Sequence, residues 1–476
     1  MYPPRALISE VPIPLRYVST RGRAPTLGFD DVLLAGLATD GGLYVPETWP
    51  QFSAADLTAF AGLDYAELAA KVMAPFVTGS VIEKELPRLT KQAYGRFTHS
   101  AVAPLKQLSA NEWVMELFHG PTLAFKDFAL QLVGLMFEEV LKARKQKITI
   151  VGATSGDTGS AAIEATKGRA NIEIFILHPE GRTSEVQRRQ MTTVDAPNVH
   201  NIALKGTFDD CQDIVKALFA DTTFRTEKNL SAVNSINWAR IMAQIVYYIW
   251  AAVRLGAPAR KVAFAVPTGN FGNVFAGYCA TRMGLPVARF LVGSNRNDIL
   301  TRYFETGSMT VEGVQPSLSP SMDIQVSSNF ERLLFEAYDR DGAAVARLMD
   351  QFKQSAAYTV AAPAHAKIAA LFGGRRLDDE GTKKMMRDVR AATGELIDPH
   401  TAVGIYAARA EGLDPAIPRI ALATAHPAKF PDAVKAATGE ASPLPPAMAD
   451  IFNRTERFQV IENDLDAVKR LIRSHV

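Results

Sequence analysis

From about residue 113 the chain alternates short apolar runs with helical patterns, and this alternation leaves few folds open to it. Residues 113–117, 148–151, 172–177, 199–204, 262–266, 288–292 and 420–424 read as buried strands, several β-branched and stopped by Pro or Gly. Residues 125–142, 160–167, 185–191, 209–219, 237–255 and 273–282 read as helices between them. Continuously apolar strands joined through helices specify an α/β protein with open, twisted, mostly parallel sheets. Residues 343–390 are more charged and read as mostly helical. The first hundred residues lack this alternation. They show a short strand at 17–20, a helical stretch at 29–37 and a tight turn at Asp40-Gly41-Gly42. A chain of 476 residues is too long for one simple core. The expectation is an N-terminal accessory domain over 1–105, a smaller α/β domain over 106–230 and a larger one over 231–476, with the chain crossing between the last two.

Composition narrows the function. A net charge of +2 and no basic stripe with interleaved aromatics leave nothing suited to nucleic acid. The most apolar stretch, 241–253, is interrupted by Gln244 and is shorter than the roughly 20 residues that span a bilayer. Residues 1–5 carry no signal-peptide pattern. Cys211 and Cys279 match no metal spacing and suit a reducing compartment, so no metal site and a cytoplasmic location are expected.

Three strand-to-helix turns carry the candidate chemistry. Gly152-Ala153-Thr154-Ser155-Gly156-Asp157-Thr158-Gly159-Ser160 combines small residues, three hydroxyls and a following helix start, which suits a carboxylate or phosphate. Pro267-Thr268-Gly269-Asn270-Phe271-Gly272-Asn273 lacks both the G-x-G-x-x-G and the Gly-Lys-Ser/Thr signatures, and reads as a small phosphate nest. A capped connection explains either loop alone. The third turn, His119 to Phe128, sets Lys126 at the start of an apolar helix. Both the helix N-terminus and apolar surroundings disfavour its charged form, as an imine-forming amine requires. The plainer alternative is a lysine reaching water from a helix end. A nucleophilic lysine and a phosphate nest together have one economical ligand, pyridoxal phosphate, which carries both an aldehyde and a phosphate.

These residues, with Tyr17-Val18-Ser19-Thr20-Arg21-Gly22, the run from Gly36 to Pro46, Asn234-Ser235-Ile236-Asn237-Trp238-Ala239-Arg240 and Ala425-His426-Pro427-Ala428-Lys429-Phe430, resemble the threonine synthases over nearly the whole chain. That family belongs with the pyridoxal-phosphate enzymes of the tryptophan synthase β type. The resemblance implies two open α/β domains with the cofactor between them and an N-terminal accessory domain. It also implies conversion of O-phosphohomoserine and water to threonine and phosphate, the last step of threonine biosynthesis, by a monomer or homodimer. Lys126 resembles the family's Schiff-base lysine. Gly269, Asn270, Phe271, Gly272 and Asn273 resemble its cofactor-phosphate loop, and Thr424 the hydroxyl that meets the pyridine nitrogen. Thr154, Ser155, Asp157 and Thr158 resemble the loop that meets the substrate carboxylate and the cofactor's phenolic oxygen. The wider family often has Asn where this chain has Asp157, and an ionised aspartate cannot donate to a phenolate. Asp157 is therefore expected to orient the loop or to be protonated. Arg240, Lys167, Arg188 and Arg296 are candidates for the substrate phosphate, with Arg240 chosen for the site. A serine/threonine dehydratase or cysteine synthase would share Lys126 and both loops but needs no site for a γ-phosphate.

Overall fold

The computed structural model describes residues 14–232 and 235–476; residues 1–5, and Asn234 of the motif before Arg240, lie outside the described residues. In chain order the strands are β1 (Tyr17–Ser19), β2 (Tyr44–Pro46), β3 (Leu105–Ser109), β4 (Glu112–Glu116), β5 (Ile148–Ala153), β6 (Ile172–Pro179), β7 (Val199–Lys205), β8 (Leu230–Ser231), β9 (Val262–Pro267), β10 (Val287–Ser294), β11 (Ser308–Thr310), β12 (Ala357–Thr359), β13 (Phe372–Arg376), β14 (Arg419–Ala423) and β15 (Gln459–Glu462). They form a five-stranded sheet in the order β15-β7-β6-β5-β8 and a six-stranded sheet in the order β13-β10-β9-β14-β4-β3. Every pairing in the smaller sheet is parallel. In the larger one only the β3–β4 pair is antiparallel. The apolar runs behave as parallel strands covered on both faces must, and β9 is buried along its whole length.

The chain crosses between the sheets three times, after β4, after β8 and after β14. Strands β3 and β4 sit in the larger sheet before the chain builds β5–β8 of the smaller one, and β15 returns to the smaller sheet beside β7. Residues 343–390 do hold three helices, Gly342–Ser355, Ala362–Ala369 and Asp379–Thr393, but β12 and β13 interrupt them. Two glycines hid β13. A Cβ on Gly374 would lie 2.7 Å from the Thr301 Cα, so the glycine lets the Ile299–Thr306 helix pack flat on the strand.

The N-terminal unit joins β1 and β2 to the helices Ala54–Phe60, Tyr65–Val77 and Leu86–Tyr94. It grips the start of the long Trp238–Arg254 helix. Trp238 is fully buried, its ring 5.9 Å from Tyr17, 6.1 Å from Trp49 and 5.7 Å from Phe76. Burial of such a side chain contributes about 1.5–3 kcal/mol. Asn237 caps that helix through the Ala239 N–H and donates its amide to the Leu33 carbonyl, 2.7 Å away. Arg332, also fully buried, donates to the Tyr44 carbonyl at 3.0 Å, to the Ile236 carbonyl at 2.5 Å and to Asn329 Oδ1. No helix among the described residues is long and apolar enough to cross a membrane.

Candidate active site

A cleft of about 670 Å³, open mouth included, lies at the C-terminal ends of β5, β9 and β14 and is ringed by helix starts. Such a crevice is where open α/β sheets bind ligands. The segment before Lys126 is fastened to the end of β14. The Phe125 N–H donates to the Thr424 carbonyl at 2.9 Å, and the His426 N–H to the Leu123 carbonyl at 3.0 Å. This pairing brings Lys126, the first residue of the Lys126–Arg144 helix, to Thr424 on the cleft wall. Thr424 is buried there, as expected of a strand-end hydroxyl.

Lys126 is buried, with Nζ 3.2 Å from Asp157 Oδ2 and 4.9 Å from the Phe125 ring centroid. Its amine titrates below the ordinary lysine value: burial is the main cause, Lys429 and Arg240 add to it, and Asp157 opposes it. Asp157 opens the Asp157–Thr166 helix after Gly156, whose φ of 140° only glycine adopts readily. Its Oδ1 lies 2.8 Å from Lys429 Nζ and accepts from Gln187 Nε2 at 2.9 Å. Its Oδ2 faces Lys126 and accepts from Ser321 Oγ at 3.4 Å. Burial alone raises this carboxyl, but Lys126, Lys429 and the hydrogen bonds outweigh it and hold it well below the usual carboxylate range. Of the two expectations for Asp157, the surroundings therefore favour an ionised, orienting carboxylate over a protonated one.

The two anion loops differ in what faces the cleft. In the first, Asp157 and Thr158 line it. Thr154 and Ser155 do not, and the Thr154 hydroxyl accepts from the Gly156 and Gly159 N–H groups, each at 2.9 Å. In the second, Gly269, Asn270, Gly272 and Asn273 all line the cleft. Phe271 adopts φ 63° and caps the Gly272–Arg282 helix, while its ring is buried against Phe330 and Phe372. Only its backbone serves the loop, and packing holds a conformation costing about 1–3 kcal/mol. Asn273 Oδ1 accepts from Tyr247 and Tyr248, at 2.6 and 2.8 Å, while its buried Nδ2 has no protein partner. A free amide donor at a helix N-terminus suits a phosphate.

Among the four candidate cations only Arg240 lines the cleft. It is buried, its Nε and Nη1 have no protein partner, and burial pushes its guanidinium down to about 10. Lys167 pairs with Glu164 at 2.8 Å, Arg188 with Glu456 at 2.8 Å and Arg296 with Asp379 at 3.1 Å. Asn295 and Asn297 do not line the cleft; both donate to Asp323 Oδ1, at 2.7 and 3.0 Å, and Asp298 bridges Arg302 and Arg376. His119 bonds Glu116 at 2.7 Å, and half-buried His426, pushed down to about 4 by desolvation, accepts the Ala428 N–H.

Sequence reasoning missed several site residues, Ser321 at Asp157 Oδ2 among them. Lys429 and Gln187 reach Asp157 from distant elements, and His400 lines the cleft. Its Nδ1 bonds buried Asp398 at 2.6 Å, and its Nε2 accepts the Ser321 N–H at 3.3 Å. Lys429 lay inside a recognised motif, so its signal was present; Gln187 and His400 had no local signal.

A buried lysine of depressed pKa, a phosphate nest with an unpartnered amide and a strand-end hydroxyl thus share one cleft. The residues fit pyridoxal phosphate. Family models describe the same object. Residues 16–94 match "Threonine synthase N terminus", 99–352 "Pyridoxal-phosphate dependent enzyme" and 401–472 "Threonine synthase, C-terminal". The chain is 55% identical to a threonine synthase of Pseudomonas aeruginosa, over 97% of this chain and 98% of that one. It is 43% identical to that of Corynebacterium glutamicum, over 96% and 98%. The solved structure of threonine synthase from Brucella melitensis with pyridoxal phosphate bound superposes with a TM-score of 0.95 at 53% identity, covering 97% of this chain and 99% of that one. The chain belongs to the threonine synthase family of pyridoxal-phosphate-dependent enzymes.

Proposed function

We propose that this cleft converts O-phospho-L-homoserine and water into L-threonine and inorganic phosphate. The observation that carries the reading is Arg240: a buried guanidinium with two unpartnered nitrogens, in a cleft whose other anion nest would hold a cofactor phosphate. A dehydratase or a cysteine synthase has no use for a second such site. Bound pyridoxal phosphate supplies an electron sink for the charge left when a proton is removed beside the amino group. Gly269, Asn270, Gly272, Asn273 and the Phe271 backbone would hold its phosphate, Thr424 its ring nitrogen and Lys126 its aldehyde carbon.

Lys126 is also the proton carrier on this reading. Burial favours its neutral form, so it can take a proton; Asp157, 3.2 Å away, stabilises the ammonium that results. Arg240 would hold the phosphate that leaves. Thr158, in a loop that the Thr154 hydroxyl fixes, would orient the substrate carboxylate. The domain reading is an N-terminal unit over 1–105, a smaller α/β unit over 106–230 and a larger one over 231–476 with crossings at β3–β4 and β15. Cytoplasmic work as a monomer or homodimer is the matching expectation, supported by two buried free cysteines. The test is phosphate release from O-phosphohomoserine with threonine appearing in equal amount. Lys126→Ala is expected to lose turnover by at least about 10³-fold while keeping its fold. Retained turnover would remove Lys126 from its role.

A further inference from the structure

The mechanism leaves one buried charge unused. Lys429 is fully buried in the short Pro427–Lys429 turn, and nothing in the reaction needs it to touch substrate. It does not line the cleft. Its Nζ is held by two acceptors, Asp157 Oδ1 at 2.8 Å and the Thr122 carbonyl at 2.7 Å. Thr122 is itself tied down, because its N–H and hydroxyl donate to Asp127, each at 2.8 Å. Lys429 is therefore held in one place.

Asp157 is shared between two cations. One oxygen meets Lys429 and Gln187, the other Lys126 and Ser321. We propose that Lys429 is a positioning residue for Lys126: by occupying one side of Asp157 it leaves Lys126 only part of that carboxylate's charge, and so keeps the Lys126 amine ready to give up its proton. This rests on Lys126 being the proton carrier argued above. An ammonium that owned Asp157 alone would keep its proton in a dry site, because an undivided buried ion pair favours both charges.

The other charged groups around Lys126 act in known directions. Arg240, on the Trp238–Arg254 helix, adds to Lys429 in disfavouring the ammonium. Asp127, next in sequence, turns its oxygens to Thr122 instead. His400, on the Pro399–Ala410 helix, faces Asp398 and the Ser321 N–H. Lys429 and Asp157 are thus the pair whose removal moves Lys126 in opposite senses.

The test is the pH dependence of Lys126 acylation by acetic anhydride, read by peptide mapping on the full chain stripped of cofactor. In Lys429→Met the half-point is expected to rise by about one pH unit, a roughly tenfold slower reaction at any pH below it. Lys429→Arg, which keeps the charge, is expected to restore it. In Asp157→Asn the half-point is expected to fall. A half-point within about 0.3 unit of wild type in a folded Lys429→Met would overturn the proposal, since a purely packing role moves stability and leaves the titration alone. Should Lys429→Met not fold, Asp157→Asn decides, and an unmoved half-point there overturns it equally. Phosphate release by the wild-type holoenzyme is recorded alongside. Its absence would sink the proposed reaction while leaving the labelling result standing.

Discussion

The loops 152–160 and 267–273 look alike as sequence and behave oppositely as structure. Each follows a buried strand, is rich in glycine and opens a helix. The first has neutralised itself: Asp157 sits on the helix start, ionised between two lysines, and Thr154 consumes two of the loop's N–H groups. The second spends its Phe271 N–H on the Thr268 hydroxyl at 3.2 Å but keeps a side-chain donor, the unpartnered Asn273 Nδ2, and places no carboxylate at its helix start. A helix N-terminus that already carries the chain's own carboxylate attracts an external anion less strongly than one that does not. The side chain at the first helical turn, aspartate in one and asparagine in the other, decides which kind of loop is built.

This contrast can be broken from either side. Asp157→Asn has the largest expected effect, because it leaves Lys429 buried without its counter-charge; about 3–5 kcal/mol of stability is lost at neutral pH. The pH dependence has a definite sign. The folded-state pKa of Asp157 is depressed, so its contribution is present above the ordinary carboxylate value and is lost as pH falls through the folded one. The urea midpoints of wild type and variant should therefore converge below about pH 4. Asn273→Asp makes the second loop resemble the first. Tyr247 and Tyr248 can still donate to its oxygen, but the new charge repels a phosphate, and cofactor affinity should fall about 100-fold, read by titrating its visible absorbance. Arg240→Met leaves both loops alone and is expected to lower kcat/KM by about 30-fold, chiefly through KM, with cofactor content unchanged. Thr154→Val is the smallest change. It removes the acceptor for two N–H groups and should cost about 1 kcal/mol in thermal or urea unfolding, with little effect on KM.

Much of this molecule was legible in its sequence, for physical reasons. Parallel strands buried on both faces must be apolar throughout, so β5, β6, β9 and β14 announce themselves. Lys126 stood out because a cation at the start of an apolar helix needs explaining. What stayed hidden lacked such local pressure. The strand β13 reads Phe-Gly-Gly-Arg-Arg, where close helix packing chose glycine over a β-branched residue. Edge strand β15 is largely exposed and carries no buried pattern. What sets Arg240, already chosen from its motif, apart from its three rivals is the absence of a partner, a property only the folded chain displays. His400 and Gln187 acquire their meaning from Asp398 and Asp157, and the pairing of Gln187 with Asp157 spans 30 residues.

The crossing of the chain between its sheets bears on how it is made. Strand β4 has to wait for β14, some three hundred residues later, before its buried edge is covered. The smaller sheet, begun after β3 and β4, keeps β7 as an open edge until β15 emerges some 250 residues later. Neither sheet can close while the ribosome is still reading the middle of the message. The nascent chain therefore carries two unpaired, apolar strand edges for most of its synthesis, the condition that favours association between unfinished copies and a need for chaperones. A truncation just before β15 would spare every residue of the cleft and still leave the smaller sheet unfinished.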